Sequence, residues 1–378
     1  MKKENISIMK AVYTGIRIIV GLLFIFSGLI KVNDPMGLSY KMQEFFEVWG
    51  LSFFNDFTLS LSVIMNTFEI VAGVALLIGW RFNTISWLLL LFIIFFNFLT
   101  GYALLSGKIK TCGCFGDCIP LTAKQSFIKD IILLILILVL VIKKDVIKPL
   151  FNRFTGFIII ALTTVVCFYS QSYVLKHLPI IDCLAYKQGN NILEKMKIPE
   201  GAVSDSFAIM FKYRKDGKEV SFDMDHFPED FNDTTYTYID RVQELVRQGT
   251  ATAPINDFFL KNEAGEDITQ TILNQKGKYV MLFSKNTDEA DADWSRNAKK
   301  VSEECAKNKI PFFIVTATIE NAAKQLPPSQ AIQYLIGDAT VLKTAGRVNP
   351  TYFVMNGATI EGKYANADVE RVVGDVMK

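Results

Sequence analysis

Thr111-Cys112-Gly113-Cys114-Phe115-Gly116-Asp117-Cys118 places three of the chain's six cysteines within seven residues. Long apolar runs lie on both sides of this stretch. A run of about 20 apolar residues is long enough to cross a bilayer as a helix. The arrangement therefore predicts a cysteine loop, residues 108–124, between two membrane spans.

The composition of the whole chain also indicates a membrane protein. Hydrophobic residues make up 51% of the 378 residues and the mean hydropathy is +0.27, which is high for a soluble protein. Residues 1–183 carry 16 basic and 10 acidic side chains, whereas residues 184–378 carry 24 and 28. The two halves therefore suit different surroundings, and neither has the basic clusters that nucleic-acid binding requires.

Five runs are long and apolar enough to be membrane spans. They are Val12–Val32, Leu59–Trp80, Asn83–Leu105, Phe127–Ile142 and Phe154–Tyr173. The fourth run is short and begins with Lys129 and Asp130, which we expect to reach the membrane interface. The first run is longer than a signal-peptide core and no cleavage site follows it, so we interpret it as an uncleaved span.

The distribution of basic residues predicts the orientation, because short cytoplasmic loops are enriched in Lys and Arg. Eight basic residues fall on one side in short segments with few acidic residues: Lys2, Lys3, Lys10, Arg81, Lys143, Lys144, Lys148 and Arg153. The other side has five in longer loops that also carry acidic residues: Lys31, Lys41, Lys108, Lys110 and Lys124. This pattern places the N-terminus in the cytoplasm. Five spans then place the cysteine loop and the C-terminal region outside, in the periplasm of an inner-membrane protein, where disulfides persist.

From residue 176 the pattern becomes that of a soluble protein. Residues 176–250 predict a linker region with a β-hairpin, in which an Asp-Gly turn joins Ser206–Tyr213 to Glu219–Met224. Strands that alternate with helices then predict an α/β domain over residues 251–378. The expected elements are strands at Phe258–Lys261, Tyr279–Phe283 and Phe312–Thr316, helices at Ile268–Leu273, Asp293–Asn308 and Ile319–Lys324, and a hairpin of Thr351–Met355 with Thr359–Lys363.

The cysteine stretch and its flanks resemble the MauE/DoxX family of membrane proteins over residues 12–146. The likeness rests on the Cys-Gly-Cys-Phe-Gly core, Lys129-Asp130, Ser27-Gly28, Lys31, Asp34-Pro35, and Glu69 with Gly73 and Gly79. The resemblance implies a four-helix membrane domain, residues 1–148, to which residues 149–175 add a fifth span. It also implies a role in disulfide handling during the maturation of exported proteins.

The order of elements in residues 250–378 resembles a thioredoxin-like domain of the TlpA type, with Asn349-Pro350 where that family carries a cis-proline. That family also carries Cys-x-x-Cys just after the strand that corresponds to Tyr279–Phe283. Here the stretch is Ser284-Lys285-Asn286-Thr287, which has no thiol. Because the low-pKa thiolate that drives exchange is missing, we expect this domain to have no oxidoreductase activity of its own.

The cysteine loop admits three interpretations. In an exchanging loop, one thiolate attacks a disulfide and a second thiol resolves the mixed species, so that Cys114 and Cys118 close a small ring and Cys112 attacks it. In a structural loop, a disulfide pins the chain, and Cys183 near the same membrane face is a partner for Cys112 or Cys118. In a zinc site, Cys183 or His177 completes the ligand set, although oxidation outside the cytoplasm opposes this.

Glu69 is the other candidate functional residue. It lies near the middle of the second span, where an ionised carboxylate costs about 2.5–3.5 kcal/mol or more. We therefore expect it to face the bundle interior with a partner drawn from Arg17, Lys31, Asn66 and Asn97. By analogy with other membrane disulfide systems it handles protons, with a quinone as electron acceptor; alternatively it is a neutral structural residue. Cys167 and Cys305 are expected to be packing residues.

These features predict a membrane thiol-disulfide redox protein built as a membrane α-helical bundle followed by an α/β thioredoxin-like soluble domain. Its external loop exchanges disulfides with an exported partner, and the degenerate domain recognises that partner. The alternative is a non-enzymatic subunit in contact with membrane lipids. In that case the loop disulfide is structural and the domain docks partners in an envelope assembly complex.

Overall fold

The computed structural model describes residues 2–109, 113, 115–142, 148–202, 206–215, 217–223, 228, 231–232, 235–247 and 253–377. Five of its helices are long and apolar enough to cross a membrane, which confirms the expected number of spans. They are α1 (Lys2–Asn33), α3 (Thr58–Ile78), α4 (Phe82–Ser106), α5 (Ala123–Ile142) and α6 (Arg153–His177). The chain is thus a membrane protein.

Helices α1 and α3 form the closest helix pair in the bundle. A Cβ atom at Gly73 would lie 2.8 Å from the Gly21 carbonyl oxygen, and one at Gly28 would lie 2.5 Å from the Ile70 side chain. Small residues at such crossings allow the backbones of membrane helices to approach closely. Helix α5 packs against α4, and α6 packs against α3. The close α1–α3 contact brings the polar residues of these two helices together.

A sixth helix, α2 (Pro35–Val48), lies between the first two spans and was not predicted. Its N-cap is Asp34, whose Oδ1 accepts a hydrogen bond from the Gly37 backbone nitrogen at 3.0 Å. Proline at the first helical position after an N-cap Asp is a recognised helix start. The Asp34-Pro35 pair was therefore a sequence signal for this helix.

The soluble part contains two sheets. The first is antiparallel, with the strand order β2-β1-β3, and contains β1 (Ser206–Lys215), β2 (Lys218–Asp223) and β3 (Thr237–Arg247). The hairpin of β1 and β2 was predicted, and the third strand was not. A short helix, α7 (Ile192–Lys195), precedes this sheet.

The second sheet has five strands in the order β6-β5-β4-β7-β8. Its strands are β4 (Lys278–Ser284), β5 (Phe312–Thr316), β6 (Gln333–Ile336), β7 (Thr351–Asn356) and β8 (Thr359–Ala365). The first three are parallel, while β7 runs antiparallel to β4 and β8 antiparallel to β7. The helices of this domain are α8 (Thr269–Leu273), α9 (Trp294–Lys307), α10 (Ile319–Gln325), α11 (Ala339–Gly346) and α12 (Val369–Val376).

Helices cover both faces of this sheet, as the strand β4 illustrates. Its alternate residues Tyr279 and Met281 pack in one apolar cluster with α8 and α11. Val280 and Leu282 pack in a second cluster with α9 and α12. Since side chains of a strand alternate between faces, the domain is a three-layer α/β fold of the thioredoxin-like type.

Two details of the domain compare directly with the sequence analysis. The Asn349-Pro350 peptide bond is cis, as the resemblance implied. The predicted strand Phe258–Lys261 is wrong, since only Lys261 forms isolated bridges, to Asp267 and Ile336. Phe258 and Leu260 are instead buried in the core without strand pairing. The apolar residues of this segment are thus explained by burial and not by a strand.

Candidate functional site

A disulfide joins the cysteine loop to the segment that follows the fifth span. Cys118 is bonded to Cys183, with 4.9 Å between their Cα atoms. Both residues are partly exposed. The small ring of Cys114 with Cys118 is therefore not the pairing in the structure, while Cys183 is one of the partners that the sequence offered for the loop. Cys112 and Cys114 lie outside the described residues.

The end of the first span brings Cys183 to this position. Asn33, at the end of α1, donates a hydrogen bond from Nδ2 to the Ile181 carbonyl at 2.8 Å, and its Oδ1 accepts one from the Ile181 backbone nitrogen at 3.0 Å. This pair fixes the exit of α6 beside the end of α1. The neighbouring loop residues Gly116 and Asp117 line the same small cavity as Asn33.

The soluble domain contacts the disulfide region through Arg347. This residue follows α11, and its side chain is only 4% exposed. Its Nε lies 2.9 Å from Asp34 Oδ2, and its Nη2 donates to the carboxylate of Asp117, the residue next to Cys118. Burial disfavours the charge of Arg347, but Asp34 and Asp117 outweigh this effect and raise its pKa. Arg347 is therefore a fixed cation between α1 and the cysteine loop.

Lys363 of β8 makes the matching contact on the other side of the disulfide. Its Nζ lies 2.7 Å from an oxygen of Asp182, the residue next to Cys183, and its side chain is 4% exposed. Burial lowers the pKa of Lys363, and the Asp182 carboxylate offsets part of that shift. Each cysteine of the disulfide is thus preceded by an aspartate that pairs with a buried cation of the soluble domain.

Glu69 lies inside the bundle with two partners from α1. Lys31 Nζ forms an ion pair with Glu69 Oε1, and Ser27 Oγ donates to Oε2 at 3.0 Å. Glu69 and Lys31 are 2% and 3% exposed, so the prediction that Glu69 faces the interior with a partner is confirmed. Of the other candidates, Arg17 lies about three turns before Ser27 on α1, and its Nε has no hydrogen-bond partner among the described residues.

The two asparagines that the sequence offered for Glu69 bond elsewhere. Asn66 donates to the Lys31 carbonyl at 3.1 Å and to Gln171 Oε1 of α6 at 3.2 Å, which ties the fifth span to the first two. Asn97 donates to the backbone carbonyl of Asp130 at 3.1 Å. The buried polar groups of the bundle therefore form one region beside Glu69 and another beside Asp130.

Asp130 was expected at the membrane interface, and this expectation is wrong. Helix α5 begins at Ala123, seven residues earlier, so Asp130 lies two turns inside the helix and is 1% exposed. Lys129 Nζ forms an ion pair with its Oδ1 at 2.7 Å, while its Oδ2 has no hydrogen-bond partner among the described residues. The Oγ of Ser126 on the same helix also has no hydrogen-bond partner among the described residues. Buried polar atoms of this kind are usually satisfied by water.

A small cavity of about 40 Å³ connects the two acidic residues, which is room for a few water molecules. Glu69 and Lys31 line one part of it, and Lys129 and Asp130 line another. Phe115 of the cysteine loop also lines the cavity, and the centroid of its ring lies 5.1 Å from Lys129 Nζ. The polar interior of the bundle therefore reaches the cysteine loop.

The surface that carries cysteines in thioredoxin-like enzymes faces the bundle in this chain. Ser284 Oγ donates to Asn349 Oδ1 at 2.8 Å, and Asn349 Nδ2 donates to the Asn286 carbonyl at 2.8 Å. Hydrogen bonds among these polar side chains thus occupy the place where thioredoxin-like enzymes carry their cysteine pair. A cleft beside them is shared with the membrane part: Met36, Tyr40, Leu59 and Leu175 line it together with Phe283, Lys285 and Arg347.

Two further cysteines, Cys167 and Cys305, lie away from the disulfide region. Cys167 and Cys305 are free and buried, and burial raises the pKa of the Cys305 thiol to about 12. Within the part of the chain that the structure describes, no three His, Cys, Asp or Glu side chains are grouped as metal ligands. His177 instead pairs with Asp368 at 3.1 Å.

The bundle of spans around Glu69 and the cysteine loop has a counterpart among known families. Residues 9–143 match the family model of the methylamine utilisation protein MauE. The first four spans of the bundle are a MauE domain, and the fifth span lies outside the match. Residues 207–248, which include the first sheet, match a domain of unknown function, DUF8463.

One curated relative adds to this picture. Protein TlpB of Flavobacterium psychrophilum is 31% identical to the chain over 128 residues. The match covers 33% of this chain and about a third, 35%, of the relative. No solved structure matches the chain. The MauE domain here is thus fused, through a fifth span and a cysteine-bearing segment, to a soluble α/β domain.

Sequence reasoning missed the contacts between the MauE domain and the soluble domain. Arg347 and Lys363 lie in unremarkable sequence, and neither was a candidate. One signal was available, since an aspartate precedes each cysteine of the disulfide, at Asp117 and Asp182. These two aspartates pair with two different cations, Arg347 and Lys363.

Proposed function

We propose that this protein exchanges disulfides between its cysteine loop and an exported protein that carries two thiols. The observation that carries the proposal is the partly exposed Cys118–Cys183 disulfide at the end of a loop that contains two more cysteines, Cys112 and Cys114. Because Cys112 and Cys114 lie only a few residues before Cys118 in the sequence, two cysteine pairs are available to pass electrons from one to the other.

The exchange balances without any further reactant. A thiolate of the partner attacks one sulfur of a loop disulfide, one S–S bond breaks, and a mixed disulfide forms. The partner's second thiol then attacks that mixed disulfide and releases the loop thiol. The partner loses two electrons and two protons, and the loop gains them. In this scheme the partner first reduces a disulfide of Cys112 with Cys114. The two resulting thiols then reduce the Cys118–Cys183 disulfide by a second exchange of the same kind.

Glu69 supports this chemistry as a proton-handling group. Each exchange takes up or releases protons at the sulfur atoms, and the cavity that holds Glu69 and Asp130 reaches Phe115 of the loop. Lys31 forms an ion pair with the Glu69 carboxylate at the edge of this cavity. The cavity has a volume of only about 40 Å³, and we route no step through a membrane quinone.

The location that suits this function is the bacterial inner membrane, with the loop and the soluble domain in the periplasm. The charge distribution of the short loops supports this orientation. A disulfide persists in that compartment, whereas cytoplasmic thiols are kept reduced. The soluble domain, which has Ser284 and Lys285 where thiols are expected, would bind the partner rather than react with it.

A second function is supported by one specific observation. The Cys118–Cys183 bond ties the MauE domain to the base of the soluble domain, flanked by the ion pairs of Arg347 and Lys363. A bond in this position suits a structural clamp in a non-enzymatic subunit that docks partners in an envelope assembly complex.

The two functions are separated by an exchange assay with the full chain in detergent. The oxidised protein is mixed with a reduced peptide that carries two cysteines, and peptide oxidation is followed by alkylation and mass spectrometry. We expect the wild-type chain to react at least about ten times faster than the Cys112→Ser/Cys114→Ser variant, with Cys305→Ala as a control that reacts like wild type. Equal rates for wild type and the double variant would reject the relay and leave the structural clamp.

A further inference from the structure

The Cys118–Cys183 disulfide lies between two ion pairs that the soluble domain makes with the neighbouring aspartates. Arg347 precedes β7 by four residues, and Lys363 lies in β8, where it is paired with Phe353 of β7. Arg347 binds Asp117 beside Cys118, and Lys363 binds Asp182 beside Cys183. The soluble domain therefore contacts both arms of the disulfide, through the residue that ends α11 and through β8.

The arm that carries Cys183 is fixed to the soluble domain independently of the disulfide. The Gly189 backbone nitrogen donates to the Ile360 carbonyl at 2.8 Å, and the Ile192 nitrogen donates to the Ala358 carbonyl at 2.8 Å. Ile192 itself is fully buried in the core of that domain. The Cys183 arm is thus held by the soluble domain through Gly189 and Ile192, and by the end of α1 through the Asn33–Ile181 pair. Lys363 fixes its direction through Asp182.

The arm that carries Cys118 belongs to the MauE domain, and Arg347 is the described residue of the soluble domain that binds it by an ion pair. Its guanidinium reaches two carboxylates at once, Asp34 of the α2 N-cap and Asp117 of the loop, and lies 5.5 Å from the Tyr40 ring. The residue adopts φ 51° and ψ −38°, a backbone conformation that costs about 1–3 kcal/mol for a side chain other than glycine.

We propose that Arg347 is a positioning residue for the cysteine chemistry: by holding Asp117, it keeps Cys118 against Cys183 in the reduced protein and so stabilises the disulfide against reduction. The inference concerns the disulfide of the proposed function and rests on that function only for its biological use. The stability of a disulfide depends on the effective concentration of its two thiols. Without Arg347 the reduced loop is free to leave Cys183, and the disulfide becomes easier to reduce.

Arg347 could also act on the disulfide electrostatically, and this effect would shift the ease of reduction in the opposite direction. A cation near Cys118 would also stabilise its thiolate, and this would favour the reduced form. Removing Arg347 would then make the disulfide harder to reduce. The two roles of Arg347 therefore predict shifts of opposite direction, and a merely structural role predicts none.

The test is a redox titration of the full chain in the Cys112→Ser/Cys114→Ser background, which leaves the Cys118–Cys183 pair to titrate. Two glutathione molecules supply two electrons and two protons, the S–S bond breaks, and one glutathione disulfide forms. The reduced fraction is read by acid quench, alkylation and mass spectrometry across a series of glutathione ratios. Because the relay cysteines are absent, the result does not depend on whether the exchange function is correct.

We expect Arg347→Ala to raise the equilibrium constant for reduction about tenfold, which corresponds to a midpoint about 30 mV less negative. Asp117→Asn, at a side chain that is 47% exposed, should shift it in the same direction even if Arg347→Ala fails to fold. The double variant should shift the midpoint no further than the larger single change, because both substitutions remove the same contact, that between Arg347 and Asp117. Lys300→Ala, which breaks an exposed pair with Glu370, is the matched control and should leave it unchanged.

Three results would overturn the proposal. The first is a midpoint within twofold of the control for both Arg347→Ala and Asp117→Asn. The second is a shift toward harder reduction in Arg347→Ala, which would assign Arg347 to thiolate stabilisation. The third is full additivity of the two single changes, which would mean that they act through different contacts.

Discussion

Cys118 of the loop after the third span is bonded to Cys183 of the segment after the last span, 65 residues further along the chain. Between these two cysteines lie the fourth and fifth spans. The bond therefore links the loop between the third and fourth spans to the segment that leads into the soluble domain.

Removal of this bond should destabilise the fold. A disulfide that closes a loop of this length contributes typically about 2–4 kcal/mol. We expect Cys118→Ser and Cys183→Ser to lower the midpoint of thermal unfolding in detergent by similar amounts, and the double variant to lower it no further. A double variant that is clearly less stable than either single one would show that the two cysteines act separately.

The buried pair of Glu69 and Lys31 should be more sensitive to the loss of one member than of both. Glu69→Gln leaves the Lys31 charge unpaired at 3% exposure, and breaking a buried pair in this way costs about 3–5 kcal/mol. Lys31→Met/Glu69→Gln should recover much of that loss in thermal unfolding measurements. Lys307→Ala, which removes an exposed pair with Glu304, serves as the control and should change stability by at most about 1 kcal/mol. Single and double variants of equal stability would contradict a mutually dependent ion pair.

Cys305 should be unreactive in the folded protein. Burial raises the pKa of its thiol to about 12, so the thiolate fraction at pH 8 is on the order of 10⁻⁴. Iodoacetamide at pH 8 should leave Cys305 unmodified in the native chain and modify it fully after denaturation, as read by mass spectrometry. Rapid labelling of the native chain at this residue would show that it is accessible and would reopen a redox role for it.

The proposed orientation of the chain makes a separate prediction. Alkaline phosphatase fused after the C-terminal helix α12 should be active in intact cells, because the enzyme requires an oxidising compartment. The same reporter fused after Lys148, between the fourth and fifth spans, should be inactive. The reverse pattern would place the cysteine loop in the cytoplasm and would remove the basis for disulfide exchange with exported proteins.

Much of the fold could be predicted from the sequence because its signals are local. A span needs a long apolar run, and a hairpin such as β1–β2 needs alternation and an Asp-Gly turn. The strand β5, Phe312–Thr316, was predicted with the bounds that the structure has. Short elements at the sheet edge, such as β6, were missed because four residues carry too little periodicity to indicate a strand.

The candidate site was predictable only in part, because its decisive contacts join residues far apart in the chain. Glu69 was identified from its cost in a membrane span, and Lys31 was among its expected partners. Asp130 was assigned to the interface because the apolar run starts beside it, whereas α5 starts earlier with polar residues. Arg347 and Asp117 are 230 residues apart, and only the folded chain brings them together.

The most direct test of the central claim is the redox state of the four loop-region cysteines in living cells. Cells are quenched with acid before and after a brief dithiothreitol pulse, and Cys112, Cys114, Cys118 and Cys183 are alkylated and quantified separately by mass spectrometry. Disulfide exchange predicts a mixed population of thiols and disulfides that shifts toward thiols with the pulse and recovers after it. Cysteines that are fully oxidised before, during and after the pulse would contradict the exchange function and would leave the disulfide as a structural bond.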